Sequence, residues 1–203
     1  MKLLTPKITK IVSLASVLTL AGCNGAMSTM PQIIDTRNDT TEQTMGLDYR
    51  DFEKAASQMV TTMLNSGAVN KQGGGRYVLA ISRVRNDTTQ RIDTDQLVKK
   101  IRIELMNSGK TVVTTAVGLD GAEDQMTAAM KDLKGDDSLP VLPELSFSGK
   151  IIERRNTTGS GKTQIDYYFQ GTLTSLMKQT MGLAFWEGEV YVGKRGSGKS
   201  VNW

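Results

Sequence analysis

A single small α+β domain, with a mixed sheet of about five strands flanked by helices, is predicted by three observations. Segments with apolar residues at three- and four-residue steps occupy the first two thirds of the chain. Continuous or β-branched apolar runs separate them. The final third alternates in strand fashion between turn residues, so the order is helix, strand, helix, strand, helix, then three strands.

Asp48 is placed as an N-cap with Asp51 in the first turn. Phe52, Ala55, Ala56, Met59, Val60, Met63 and Leu64 then line one face of a helix that stops near Asn65-Ser66-Gly67. After Gly73-Gly74-Gly75, the run Tyr77-Val78-Leu79-Ala80-Ile81 suits a strand buried on both faces, followed by a loop from Arg83 to Arg91. Asp93 and Gln96 have capping-box spacing, and Leu97, Ile101 and Leu105 define a second helix ending at Asn107-Ser108-Gly109, with the glycine as a left-handed cap. Thr111 to Thr115 is β-branched and reads as a strand. Met126, Ala129, Met130 and Leu133 predict a third helix over Glu123 to Leu133. Pro140 and Pro143 bound a link. The stretches Leu145 to Arg155, Thr163 to Leu176 and Leu183 to Lys194 then predict an antiparallel meander. Spacing assigns Met59, Met63, Met126 and Met130 to core packing, as it does Trp186. Tyr167 and Tyr168 fall on opposite faces of one strand, so at most one is core and the other is open to serve as an exposed aromatic anchor.

The start of the chain carries a different signal. Lys2, Lys7 and Lys10 precede an apolar stretch from Ile11 to Ala21, too short to span a bilayer, and Leu20-Ala21-Gly22-Cys23 follows. This resembles a bacterial lipoprotein signal: cleavage before Cys23, a diacylglycerol on its thiol and acylation of the new amino group. Stable anchoring needs more than one chain, at about 0.8 kcal/mol per buried CH2, so multiply acylated Cys23 would hold the protein on a membrane. Asn24 stands where an inner-membrane retention signal would have aspartate, which favours a periplasm-facing location on the outer membrane. The resulting organisation is a signal peptide over 1–22, a lipidated polar tether over 23–47, a globular domain over 48–194 and a disordered basic tail over 195–203.

Removing the signal takes away three lysines and no acid, so the formal charge of +4 falls to +1 and no nucleic-acid partner is implied. Cys23 is the only cysteine and histidine is absent, which excludes an intrachain disulfide, a Cys or His zinc site, a Ser-His-Asp triad and a Cys-His nucleophile. Asp93, Asp95 and Glu104 read as cap and solvated face residues rather than as catalytic carboxylates. No enzyme activity and no cofactor are expected, the covalent lipid on Cys23 apart. Gly193-Lys194-Arg195-Gly196-Ser197-Gly198-Lys199-Ser200 matches a phosphate-binding loop pattern, but only Val201, Asn202 and Trp203 follow, too few for the helix that holds phosphate. Gly161-Lys162-Thr163 reads as a hairpin turn.

Several segments carry a family resemblance: Met59-Val60-Thr61-Thr62-Met63-Leu64, Arg83-Val84-Arg85-Asn86-Asp87-Thr88, Met106-Asn107-Ser108-Gly109-Lys110, and Gly182-x-x-x-Trp186-x-Gly188. With the lipoprotein signal and the element order, they resemble the outer-membrane lipoprotein activators of class A penicillin-binding proteins, the LpoB family. The resemblance implies a fold similar to the N-terminal domain of TolB and an activity that is binding. Such a lipoprotein docks on a non-catalytic domain of a peptidoglycan synthase and raises its polymerisation and crosslinking. Asn86 and Thr88, in a family-matching loop, are the first candidates for the partner surface. Arg83, Arg85 and Arg91 join them as cations able to pair with carboxylates. Asn86 and Thr88 could equally cap the turn by side-chain to backbone hydrogen bonds.

Two features depart from the family. Its best-known members have a long proline-rich tether, whereas Asn24 to Leu47 holds one proline, Pro31, and spans at most about 80 Å extended or about 27 Å as a coil. Asp136 to Pro143 interrupts what the family usually continues as a helix. A monomer is expected; the short tether also suits a structural or secretion lipoprotein resembling the curli secretion or flagellar outer-membrane components, which would form rings.

Overall fold

The computed structural model describes Asp35, residues 44–114 and residues 141–196. Cys23, the helix expected over Glu123 to Leu133, Pro140 and residues 197–203 lie outside the described residues.

Helix α1 (Tyr49–Asn65) opens with the expected cap in full. The Asp48 carboxylate accepts from the amides of Arg50 and Asp51, and the Asp51 carboxylate accepts from the Asp48 amide at 2.8 Å. Its buried face is Phe52, Ala55, Ala56, Met59, Val60 and Met63, as the spacing predicts. Strand β1 (Tyr77–Asp87) is followed by α2 (Asp95–Asn107), β2 (Thr111–Val113), β3 (Leu145–Thr157), β4 (Thr163–Ser175) and β5 (Ala184–Gly196). The sheet order is β2-β1-β3-β4-β5, with β1 parallel to both β2 and β3 and the rest antiparallel. The predicted mixed sheet is therefore present, and α2 supplies the crossover that parallel neighbours require. Helix α1 packs against α2 and β5, and α2 against β1 and β2. Leu79, Ile81, Leu145, Phe147, Ile151, Tyr167, Phe169 and Leu173 form the sheet side of the core. Phe52 of α1 meets Phe169 edge to face, ring centroids 6.1 Å apart. Lys100 ties the helices together at 3.0 Å from Glu53, its ammonium 4.8 Å from the centre of the Tyr49 ring.

Three expectations need correction. Strand β1 runs to Asp87, so Arg83, Arg85 and Asn86 are strand residues rather than loop. The register slips between Ile81 and Val84, leaving Ser82 and Arg83 both exposed, after which Val84 is buried again opposite Gly149. Helix α2 starts at Asp95 without the Asp93–Gln96 box. Asp93 instead accepts the amide of Asp95 at 2.8 Å, and Thr94 at the cap makes no side-chain bond. Strand β5 continues through Arg195 and Gly196, opposite Gln164 and Thr163, two residues into the segment expected to be a tail.

The Trp186-x-Gly188 pair has a steric basis. Gly149, Gly171 and Gly188 face one another across β3, β4 and β5 on the helix side of the sheet. A Cβ at Gly171 would come within 2.9 Å of the Phe147 ring, and one at Gly188 would fall inside the Trp186 indole. The two aromatics lie over backbone that only glycine leaves bare.

Candidate functional site

The end of β1 folds into a turn built from its own polar side chains. Asn86 donates from Nδ2 to the Gln90 carbonyl at 2.8 Å, and its Oδ1 accepts from the Thr88 amide and hydroxyl at 3.0 and 2.7 Å. The Thr88 hydroxyl also accepts from the Gln90 amide at 3.2 Å. Thr89 donates from both its amide and its hydroxyl to Glu153 of β3. The polar atoms of Asn86 and Thr88 thus shape the turn, and the exposed residues around it are Asp87 and Thr89 together with Arg83, Arg85 and Arg91. Arg83 and Arg85 flank buried Val84, so they project from the face of the sheet that does not carry the helices. Arg85 forks onto Asp87 at 2.7 and 3.0 Å and stands in register with Lys150 of β3.

The same turn grips the segment leading into α1. Gln90 brackets Leu47, accepting from its amide at 2.8 Å and donating to its carbonyl at 3.1 Å. Lys194 of β5 donates to the Gly46 carbonyl at 2.6 Å, reaches Asp51 at 2.5 Å and lies 3.8 Å from Asp48. Tyr167 donates to the Met45 carbonyl at 3.3 Å, and its burial pushes the phenol up to about 12. Burial alone would raise Asp48 as well. The Arg50 hydrogen bond, the Lys194 charge and the Asp51 amide outweigh it and hold the carboxyl below its ordinary 3.8. Met45 and Leu47 are buried in the core, so the fold begins ahead of Asp48, before the boundary expected for the globular domain.

Gln90, Lys194 and Tyr167 were not among the residues singled out for the site. One signal was available: Lys194 continues the inward alternation of Val190 and Val192, and a lysine at an inward strand position calls for a carboxylate. The same observation disposes of the first half of the phosphate-loop pattern, because Gly193 to Gly196 are paired with β4 as strand. Gly161 sits in the β3–β4 hairpin turn, as predicted, at φ +74°. Among the described residues there is no cluster of three or more metal-ligating side chains, and no helix is long and apolar enough to cross a membrane.

Replacing Gln90 with alanine should cost about 1–2 kcal/mol, since two net hydrogen bonds go and the half-buried Leu47 amide loses its acceptor. Hydrogen exchange should accelerate at Leu47 while the α2 amides keep their protection. Unchanged exchange at Leu47 would show that the bracket does not hold the segment.

A family model described as the peptidoglycan-synthase activator LpoB matches residues 51–192, from the first turn of α1 to near the end of β5. Among solved structures, the LpoB C-terminal domain from Salmonella enterica is similar at 17% identity and a TM-score of 0.44, over 70% of this chain and 98% of that one. The LpoB C-terminal domain from Escherichia coli is similar at 19% identity and a TM-score of 0.42, over the same shares. Lipoprotein GNA1162 from Neisseria meningitidis is similar at 7% identity and a TM-score of 0.38, over 59% of this chain and 84% of that one. No curated protein matches the sequence.

Proposed function

This chain belongs to the LpoB family of peptidoglycan-synthase activators, and on that premise we propose that it is an outer-membrane lipoprotein that binds and activates a class A penicillin-binding protein. The observation that carries the reading is the family match, which takes in every element from α1 to β5. In this reading Cys23 carries the lipid and the chain acts by binding, without a cofactor. The rim formed by Arg83, Arg85 and Arg91 around the Asn86–Gln90 turn meets carboxylates on a non-catalytic domain of the synthase, as monomer to monomer. Asn86 and Thr88 contribute by holding the turn in shape, which presents the three guanidinium groups from a rigid support.

The test uses the full chain in detergent micelles with a purified class A synthase, where no distance has to be crossed. Glycan-strand synthesis should rise on addition of the chain. Arg85→Ala with Arg91→Ala should weaken that effect about tenfold in half-maximal concentration without changing the thermal melt, because exposed cations act on association more than on folding. A chain that neither binds nor stimulates any class A synthase would refute the reading.

A further inference from the structure

The sheet face turned away from α1 and α2 has two halves that treat their polar groups differently. Toward the ends of β3 and β5 these groups satisfy one another. Tyr191 donates to Asp166 at 2.7 Å, Gln164 donates to Asp166 at 2.9 Å, and Arg195 donates twice to the Gln164 side-chain carbonyl at 2.6 and 3.1 Å. The Arg154 guanidinium lies 5.5 Å from the centre of the Tyr168 ring. That half is a closed network of balanced charge. The other half holds an open groove. Two hollows of about 420 and 320 Å³ share Gln170 and Thr172 in their lining, and together they cross the sheet from β1 to β5.

The walls of the groove are two rows of side chains in register across the strands. One row runs Arg85, Lys150, Gln170, Glu189, and the other Ser148, Thr172, Glu187. Cations therefore stand at one end and carboxylates at the other. Arg85 is held by Asp87 at 2.7 Å, and Glu189 accepts from Gln170 Nε2 at 2.6 Å. Lys150, Glu187 and the hydroxyls of Ser148 and Thr172, by contrast, have no hydrogen-bond or ion-pair partner among the described residues. Like charges placed directly opposite one another on a sheet oppose folding, and Lys150 stands opposite Arg85. The carboxylate end lies two strand spacings away, about 10 Å, too far to form an ion pair with Lys150. The fold gains nothing from this arrangement, whereas a ligand with oppositely charged ends would.

We propose that this groove binds a short extended peptide, its carboxylate at the β3 end and an amine at the β5 end, and that the source of this peptide is the peptide side chain of peptidoglycan. Lys150, with Arg85 beside it, takes the carboxylate, and Glu187 takes the amine. The hydroxyls of Ser148 and Thr172 and the open Oε1 of Gln170 meet the peptide groups between them. Three to four extended residues span about 10–14 Å, which matches the separation of the two ends. Peptidoglycan side chains bring both charges within such a length, because they hold a diamino acid among carboxylate-bearing residues. The proposal rests on the family's link to peptidoglycan synthesis and goes beyond the contact with the synthase.

The full chain, isotope-labelled in micelles, is titrated with a free peptidoglycan tetrapeptide that contains a diamino acid. The amide signals of Gln170, Thr172 and Glu187 should shift and saturate. Lys150→Ala and Glu187→Ala should each weaken binding about fivefold or more, and acetylating the side-chain amine of the peptide should reproduce the Glu187→Ala loss. Lys178→Ala, an exposed change in the β4–β5 turn, should leave the affinity unchanged, and thermal melts of all variants report folding separately. Absence of a saturable shift at millimolar peptide overturns the groove assignment, and stimulation of the synthase by the same preparation then leaves the activator reading standing. Peptide binding that is indifferent to both Lys150→Ala and acetylation overturns recognition at the two ends. Loss of synthase binding in Lys150→Ala with Glu187→Ala, with no peptide bound by the wild type, would make the groove part of the synthase interface and overturn its assignment to a peptidoglycan peptide.

Discussion

Replacing Lys194 with methionine should destabilise the domain by about 3–5 kcal/mol, lowering the melting temperature by roughly 10 °C. Methionine keeps most of the apolar stem, so the loss is that of the ammonium. Lys194 has a side-chain exposure of 9%, and its partners Asp51 and Asp48 are at 13% and 20%. Without the cation, two neighbouring carboxylates stay in a partly dry pocket and the Gly46 carbonyl loses its donor. The pH dependence gives an independent check. Asp48 is held below 3.8 in the folded chain, so its contribution is present above pH 3.8 and is lost as the pH falls through the folded value. The variant removes one of the groups that depress Asp48, and its stability should fall less steeply on acidification below pH 3.8. A thermal melt within about 2 °C of wild type at neutral pH would refute the account.

Trp186→Ala should cost about 3–5 kcal/mol, the usual penalty for emptying a large aromatic site in a core. Its partner makes the effect diagnostic. Gly188→Ala should cost about 1–3 kcal/mol in the wild-type background, because the new methyl lands inside the indole and forces it off its rotamer. In the Trp186→Ala background the same methyl enters vacated space, and there it should be neutral or mildly stabilising, since alanine loses less backbone freedom than glycine in a strand. The coupling should therefore exceed about 1 kcal/mol in a double-mutant cycle by chemical denaturation. Additive costs would mean that the indole does not lie over Gly188.

Much of the fold was legible because local signals and tertiary demands agree. The Asp48–Asp51 cap, the buried run Leu79 to Ile81, the core position of Trp186 and the opposite faces of Tyr167 and Tyr168 all follow from spacing. The misses have specific causes. A bulge exposes two successive residues, Ser82 and Arg83, and this reads as the end of a strand although Val84 returns to the core. For Asn86 and Thr88 the sequence left two uses open, and the hydrogen bonds show their polar atoms engaged in the turn. Gln90 was invisible: its partner is the backbone of Leu47, 43 positions away, and a backbone partner leaves no mark in side-chain pattern. Lys194 was hidden by its setting among glycines and basic residues that look solvated, although the two valines before it already pointed inward.

The grip on residues 45–47 also decides how the domain can be oriented. A leash that joined the fold at one rotatable bond would act as a ball joint, and the domain would tumble about it whatever the tension. Here Tyr167, Gln90 and Lys194, from β4, the turn after β1 and β5, hold three consecutive residues ahead of α1. Attachment at three points removes rotational freedom, so a pull arriving at Thr44 acts on the body as a torque with a fixed lever arm. If the chain ahead of Thr44 is the lipid-anchored tether proposed above, tension in it would aim the domain as well as hold it, and the arginine rim, built on the same turn as one of the three grips, would turn with it.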